Sequence, residues 1–277
     1  MELVDIGVNL THPALAGDLP GVLQRAREAG VGQMVVIGTN LRESRTAAEL
    51  TRQHPGVLHA TAGVHPHDAR HWDAPSATAI AELAARGEVV ALGETGLDFN
   101  RNYSPPADQE RAFVAQLELA ADLKLPVFLH ERDASERFLD LLQPYRSRLR
   151  GAVLHCFTGN RETLAAYRAL DLHIGITGWI CDERRGGELQ TLVGEIPLER
   201  LMLETDAPYL LPRSLRPRPK QRHNEPAFLP EVLRTTARCL GMEPARLATI
   251  TSATARRFFG LVEDVHTQDS GATPGVG

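Results

Sequence analysis

The sequence predicts an α/β protein built as a (β/α)8 (TIM) barrel, and three observations predict it. Eight short apolar runs recur along the chain, most of them nearly continuous in Val, Ile and Leu, as strands covered on both faces require. Helical patterns separate the runs, and eight such units in about 260 residues match the usual barrel size. Polar residues able to bind a metal follow the ends of many runs, and a barrel brings every strand C-terminus to one mouth. A doubly wound open sheet uses the same alphabet but would scatter those ends over two crevices.

The elements follow in order. The first run, 2–8, leads to a helix over 18–29 that stops at Gly30, a good residue for a helix C-terminus. Run 33–38 precedes a helix over 41–53, which ends near Pro55. Run 57–62 is followed by a helix over 76–85. Run 89–92 is followed by one over 107–123, where Phe113, Leu117, Ala120 and Ala121 make one apolar face. Run 125–129 carries Pro126 near its start, where a missing N–H is tolerated, and a helix over 134–142 follows. Runs 151–154 and 172–177 pair with helices over 162–170 and 188–195. Run 200–203 is the eighth, and helices over 228–240 and 244–258 close the domain. Residues 1–261 read as a single domain. Residues 262–277, rich in Gly, Thr, Ser and Asp without periodicity, read as a flexible tail.

Composition bounds the function. Hydrophobic residues at 43% and charged residues at 23% are ordinary globular usage, which excludes a disordered or collagen-like chain. The formal net charge of −5 excludes a polycation that coats duplex DNA, so any phosphate binding is local. Cys156, Cys181 and Cys239 are widely spaced and form no CxxC pair, which reads as reduced cytosolic thiols. The start, Met1 to Asp5, lacks a basic segment and an apolar core of the signal-peptide kind, and no apolar run approaches the ~20 residues of a membrane helix. The expectation is a soluble cytoplasmic protein. Lys124 and Lys220 are the only lysines among 30 basic residues, a bias that genomic base composition explains more simply than phosphate binding.

The candidate site residues lie at the strand ends. Asp5 and Asn9 flank the end of the first run, and His65 and His67 follow the third. Glu94 follows the fourth, His130 the fifth, His155 the sixth and Asp206 the eighth. A lone histidine at a strand end is commonly structural, and a lone Asp or Glu there commonly caps a helix. Asp98 and Asp133 read first as such caps or supports. Glu, His, His and Asp offered together from four strand ends point instead to a metal site. The glycines of Gly93-Glu94-Thr95-Gly96 read as a tight turn presenting Glu94, and His65-Pro66-His67 as two side chains on a rim loop. Residues 213–223 hold five Arg or Lys and two prolines after the eighth run, beside the mouth, where barrels often bind phosphate; a solvated basic loop explains them equally well. No nucleophile elbow, phosphate loop, H-E-x-x-H or dinucleotide fingerprint is present.

At these residues the chain resembles the TatD family of metal-dependent nucleases. The resemblance runs from Asp5 to about Leu261 through DIGVNLT at 5–11, NLRES at 40–44, GVHPHD at 63–68 and GETGLDFNRN at 93–102. It continues through HERD at 130–133, LHCFTG at 154–159, GITGWICDERRG at 175–186, ETDAPYLLP at 204–212 and NEP at 224–226. It implies a barrel hydrolase of phosphodiesters with divalent metal at the mouth. The nearest branch implies a 3′→5′ exonuclease of single-stranded DNA and RNA, working with Mg²⁺ as a cytoplasmic monomer without an obligate protein partner. By position, Glu94, His130 and His155 take the metal-ligand places, with Asp206 as a further metal ligand and the carboxylate beside the reacting water, so that Glu94 and Asp206 are the catalytic carboxylates. His65 falls near the substrate phosphate, with His67, Asn9 and Arg132 as further substrate contacts; an ion pair with Asp133 or Glu94 would serve Arg132 equally, and Arg184 and Arg185 carry the same ambiguity.

One departure matters. Many members begin D-x-H-x-H, and here the two histidine places hold Gly7 and Asn9. Two imidazoles fewer shifts the donor set toward oxygen, which suits Mg²⁺ or Mn²⁺, as one or two ions. Two other readings stand beside this one. The barrel mouth also suits a metal hydrolase of an amide, a lactone or an aminoacyl-tRNA ester. A nucleic-acid-binding barrel that has lost catalysis would keep the fold but has no need of both Glu94 and Asp206.

Overall fold

The computed structural model describes residues 2–220 and 222–262. The expected tail lies outside them, apart from Val262. Eight strands are present: β1 (Leu3–Val8), β2 (Val31–Val36), β3 (Leu58–Ala62), β4 (Val89–Asp98), β5 (Val127–Arg132), β6 (Ala152–Leu154), β7 (His173–Ile176) and β8 (Leu201–Leu203). All neighbours are parallel and pair in sequence order from β1 to β8. A doubly wound sheet would reverse its strand order, and this one does not.

Helices cover the outside where the periodicity places them. Several begin or end at residues whose chemistry explains the boundary. The side chains of Asn40, Asp73 and Asn160 accept the amides of Glu43, Ser76 and Thr163 and so cap Leu41–Gln53, Ala74–Ala84 and Arg161–Ala169. Gly241 and Gly260, in the left-handed region, end Leu229–Leu240 and Pro244–Phe259. In Pro106–Leu123, Phe113, Leu117 and Ala120 are buried, and the Phe113 ring stacks on Phe138 at 5.2 Å between centroids. The helix expected over 188–195 is shorter: Gly187–Leu192 is α-helical and Val193–Glu195 a 3-10 turn. Gly194 and Pro197 make poor helix continuation there.

The core has two parts. Val4, Ile6, Val35, Ile37, Phe128 and Met202 fill the barrel interior, and Phe258 and Phe259 of the last helix close its floor. A second, larger cluster lies between the sheet and the helices. With interior and floor packed, polar groups gather at the remaining opening, beyond the strand C-termini.

Closure between β1 and β8 is partly made by side chains. Val8 and Ala207 form an isolated parallel bridge, and the Asp206 amide donates to the Gly7 carbonyl at 2.8 Å. Beside them, the buried Asp5 carboxyl accepts from the Thr205 amide at 2.9 Å, the Thr205 hydroxyl at 2.5 Å and the Gly7 amide at 3.2 Å. Asp5→Ala leaves these buried donors unpaired and is expected to cost about 2–4 kcal/mol, read as a lower urea midpoint. Burial pushes the Asp5 carboxyl up to about 7 from 3.8. The proton is therefore held more tightly in the folded state, and the stability it contributes is complete below about 3.8 and lost as pH rises through about 7. Asp5→Asn keeps an acceptor and is expected to remove that component of the pH dependence; an unchanged pH profile would refute the assignment.

Candidate active site

Of the residues expected at the site, Asn9, His65, His67, Glu94, His130, Arg132, His155 and Asp206 line one cavity of ≈ 540 Å³ at the barrel mouth, whereas Asp5 does not and is buried against Thr205 and Gly7. The lining residues arrive there from the ends of six different strands.

Glu94 is at the centre. The sequence expectation placed it on a turn after a strand ending at 92; instead β4 runs on to Asp98. Gly93 and Gly96 have φ of 142° and 148°, and a Cβ at either would collide with the β5 backbone, at Phe128 O (2.3 Å) and His130 O (1.8 Å). The glycines thus hold β4 tightly against β5 through a register shift between Leu92 and Thr95, and Glu94 sits in that shift. Its buried Oε1 lies 2.8 Å from His155 Nε2, 2.9 Å from His130 Nδ1 and 3.4 Å from His65 Nε2. Burial opposes the charge on Glu94, but His155, His65 and the hydrogen bond from His130 prevail and hold its carboxyl well below the usual range. Burial also opposes the charged forms of His155 and His130. His155 is nonetheless raised well above the ordinary histidine value by Glu94 and Glu204, and His130 is raised by Asp98 and Glu94. His65 behaves oppositely: burial pushes it down to about 4.

His65 is buried rather than carried on a rim loop; its Nδ1 accepts the His67 amide and starts a 3-10 turn, Pro66–His71. His67 is half-buried, with Nε2 2.7 Å from Asp98. Asp98 supports two histidines, since His130 Nε2 also lies 3.6 Å away, and it accepts the amides of Asn100 and Arg101. Those contacts outweigh its burial and depress its pKa. Asp133 caps no helix: it is exposed and accepts from Asn100, while Glu131 takes the Ala134 amide at the helix start. Arg132 is exposed at the end of β5 and pairs with neither Asp133 nor Glu94.

Asp206 stands apart from the imidazoles. Its Oδ1 accepts from the Asn9 amide group at 3.2 Å. Burial, with the charges of Glu94 and Glu204 adding to it, pushes its carboxyl up to about 7 against the opposing charge of His155. Cys156, next to His155, is no nucleophile: burial pushes its thiol up to about 12.

Glu204 is the residue that sequence reasoning missed. It is fully buried, lies 3.5 Å from His155 Nδ1 through Oε2, and accepts the Cys156 amide at 2.6 Å through Oε1. A Cβ on Gly7 would stand 2.5 Å from Oε2, and one on Gly175 would stand 2.5 Å from Oε1. The Glu204 carboxylate is thus wedged between two glycines, and a histidine at position 7 would have to displace it. The available signal was its position directly after the eighth apolar run, at a strand end like the other site residues.

The donor set fits a divalent cation. Among the described residues, ligand atoms of His65, Glu94 and His130 all lie within 4.8 Å of one another, and His155 Nε2 is 3.4 Å from His130 Nδ1. Three buried atoms of the cluster, His130 Nε2, His155 Nδ1 and Glu204 Oε2, have no hydrogen-bond partner. His155 Nδ1 and Glu204 Oε2 lie 3.5 Å from each other and His130 Nε2 lies 3.6 Å from Asp98, and these contacts turn the opposite ring nitrogens, His155 Nε2 and His130 Nδ1, toward Glu94. The basic stretch after β8 does not line the cavity. Arg213 is held by Glu183 and Asp182, and the cavity's arginines are Arg101 and Arg132. Arg184 pairs with Asp182, and Arg185 pairs with it while covering the Trp179 ring at 4.2 Å.

Comparison with known proteins follows the same outline. The family model for "TatD related DNase" matches residues 4–260. The chain is 56% identical over 259 residues to proteins named 3′-5′ ssDNA/RNA exonuclease TatD from Shigella flexneri and from Escherichia coli K12, covering 94% of this chain and 99% of each relative. Among solved structures, a TatD homologue from Escherichia coli K12 superposes with a TM-score of 0.84 at 26% identity, covering 94% of this chain and 98% of that one.

Proposed function

Because the chain belongs to the family of TatD related DNases, we propose that it is a metal-dependent hydrolase that removes nucleotides from the 3′ end of single-stranded DNA and RNA. One observation carries the mechanism: three imidazoles from three strand ends converge on one carboxylate oxygen of Glu94, in a cavity that also holds Asp206.

Glu94, His130 and His155 are the residues to hold the ion, with His65 beside them. The oxygen and imidazole donors suit Mg²⁺ or Mn²⁺, and such an ion, when bound, supplies Lewis acidity at the scissile phosphate. Asp206 takes the proton of the attacking water. Its carboxyl, pushed up to about 7, is poised to gain and lose a proton near neutrality. Asn9 donates to Oδ1 and orients it, which leaves Oδ2 for the proton. The water oxygen bonds to phosphorus while the bond from phosphorus to the 3′ oxygen of the retained strand breaks, and the proton passes from Asp206 to that leaving oxygen. Arg132 and Arg101 reach the cavity as cations for the substrate's other phosphates, and His67, braced by Asp98, stands on the same rim.

Three free cysteines suit a reducing cytoplasm, and no helix of the described residues is long and apolar enough to cross a membrane. The reading includes a cytoplasmic location, which the free thiols support, and a monomer, which rests on the resemblance alone.

Chelation tests the proposal. With EDTA, shortening of a 5′-labelled single strand is expected to stop, and excess Mg²⁺ or Mn²⁺ to restore it as a ladder from the 3′ end. Cleavage that persists without metal, or internal cuts in place of a ladder, would refute the reading.

A further inference from the structure

Among the described residues, the exposed large apolar side chains are Tyr103, Tyr209 and Val262. Val262 belongs to the opposite end of the barrel, where its carbonyl accepts from Gln33. Both exposed aromatic rings are at the mouth. Tyr209, 51% exposed, lines the cavity, and Tyr103, 55% exposed, stands edge-on to the cavity residue His67 with centroids 4.7 Å apart.

Topology separates the two rings. Tyr103 and His67 follow β4 and β3, and Tyr209 and its own edge-on partner His12 (5.7 Å) follow β8 and β1. In a sheet ordered β1 to β8, β2 lies between the pairs on one side and β5, β6 and β7 on the other. The rings therefore stand at different sides of the mouth, and Glu94, His130 and His155 line the cavity that Tyr209 and His67 also line. Each ring is braced by a histidine rather than buried. Trp179 differs: it is half-buried, and Arg185 covers its ring.

Resting on the nuclease reading, we propose that Tyr103 and Tyr209 are stacking platforms for the two bases that flank the scissile phosphate, one for the departing nucleotide and one for its retained neighbour. Aromatic rings accept any base, because every base has a π-face. They take only bases free of their own stack, so a paired end, whose bases are already stacked, cannot reach both. The two tyrosines thus set the preference for single strands without reading sequence, while Glu94 and the histidines act on the phosphate between them.

The test combines variants with abasic substrates. Tyr103→Ala and Tyr209→Ala are each expected to raise KM for a single strand about tenfold, and Phe at either position to restore it. Removing the base at the terminal or the penultimate position is expected to cost the wild type about the same factor. Each Ala variant should be insensitive to base removal at one of those positions and sensitive at the other. Wild-type KM in both Ala variants, equal losses on normal and abasic strands, or failure of Phe to rescue would overturn the proposal while leaving the nuclease reading intact. A wild type that shortens no single strand would overturn the nuclease reading, and this proposal with it.

Discussion

Glu94→Gln is expected to lower single-strand cleavage by at least about a thousandfold, equivalent to about 4 kcal/mol of transition-state stabilisation. The substitution keeps the shape of the side chain and removes its charge. Three imidazoles share that one oxygen, and an amide in its place offers a weaker donor to a cation and no counter-charge to His155. Mn²⁺ affinity, read by titration calorimetry, is expected to fall more than about tenfold alongside activity. The fold is expected to survive, because backbone pairing of β4 with β5 and the glycines beside it, rather than the carboxylate, hold Glu94 in place. Turnover within tenfold of wild type would remove Glu94 from the mechanism.

Asp206→Asn is expected to act differently. Turnover should fall by about 10²–10⁴, the usual contribution of a general base, with KM and Mn²⁺ affinity close to wild type. Asn keeps a carbonyl to accept from Asn9, so the local hydrogen bond survives. It cannot take a proton from water. Asp206 is hydrogen-bonded to Asn9, whereas His130 and His155 both contact the Glu94 carboxylate, which is why the loss of Asp206 should separate turnover from ion binding. A variant that loses metal and turnover together would instead make Asp206 a ligand, and one that keeps turnover would end its role as base.

The barrel was legible in the sequence because its strands are buried on both faces. Continuous Val, Ile and Leu cannot be hidden in a chain that must cover its sheet with helices, and the eight runs recur as the eight strands. Where legibility failed, the cause was local. β4 carries Gly-Glu-Thr-Gly, which has neither apolar continuity nor alternation, so its last residues read as a turn. Its strand conformation depends on how closely the β5 backbone approaches Gly93 and Gly96, a contact that no local pattern encodes. The basic stretch after β8 had two readings in the sequence, a phosphate site and a solvated loop, and composition could not choose between them. Charge at the right point in the chain suggested a phosphate site, but Asp182 and Glu183, about thirty residues earlier, already hold Arg213.

By itself, the sequence determined the order of the strands and the kinds of side chain delivered to one end of them: Asn9, His65, His67, Glu94, His130, Arg132, His155 and Asp206. Position along a strand dictates which end a residue occupies, and a barrel has one mouth. Only the tertiary structure decided how those groups are arranged. It gathered three imidazoles on a single oxygen, set Asp206 against Asn9, and pressed the Glu204 carboxylate between Gly7 and Gly175 where a histidine has no room. Protonation and donor geometry depend on burial and on charges a few ångströms away, and those neighbours come from distant parts of the chain.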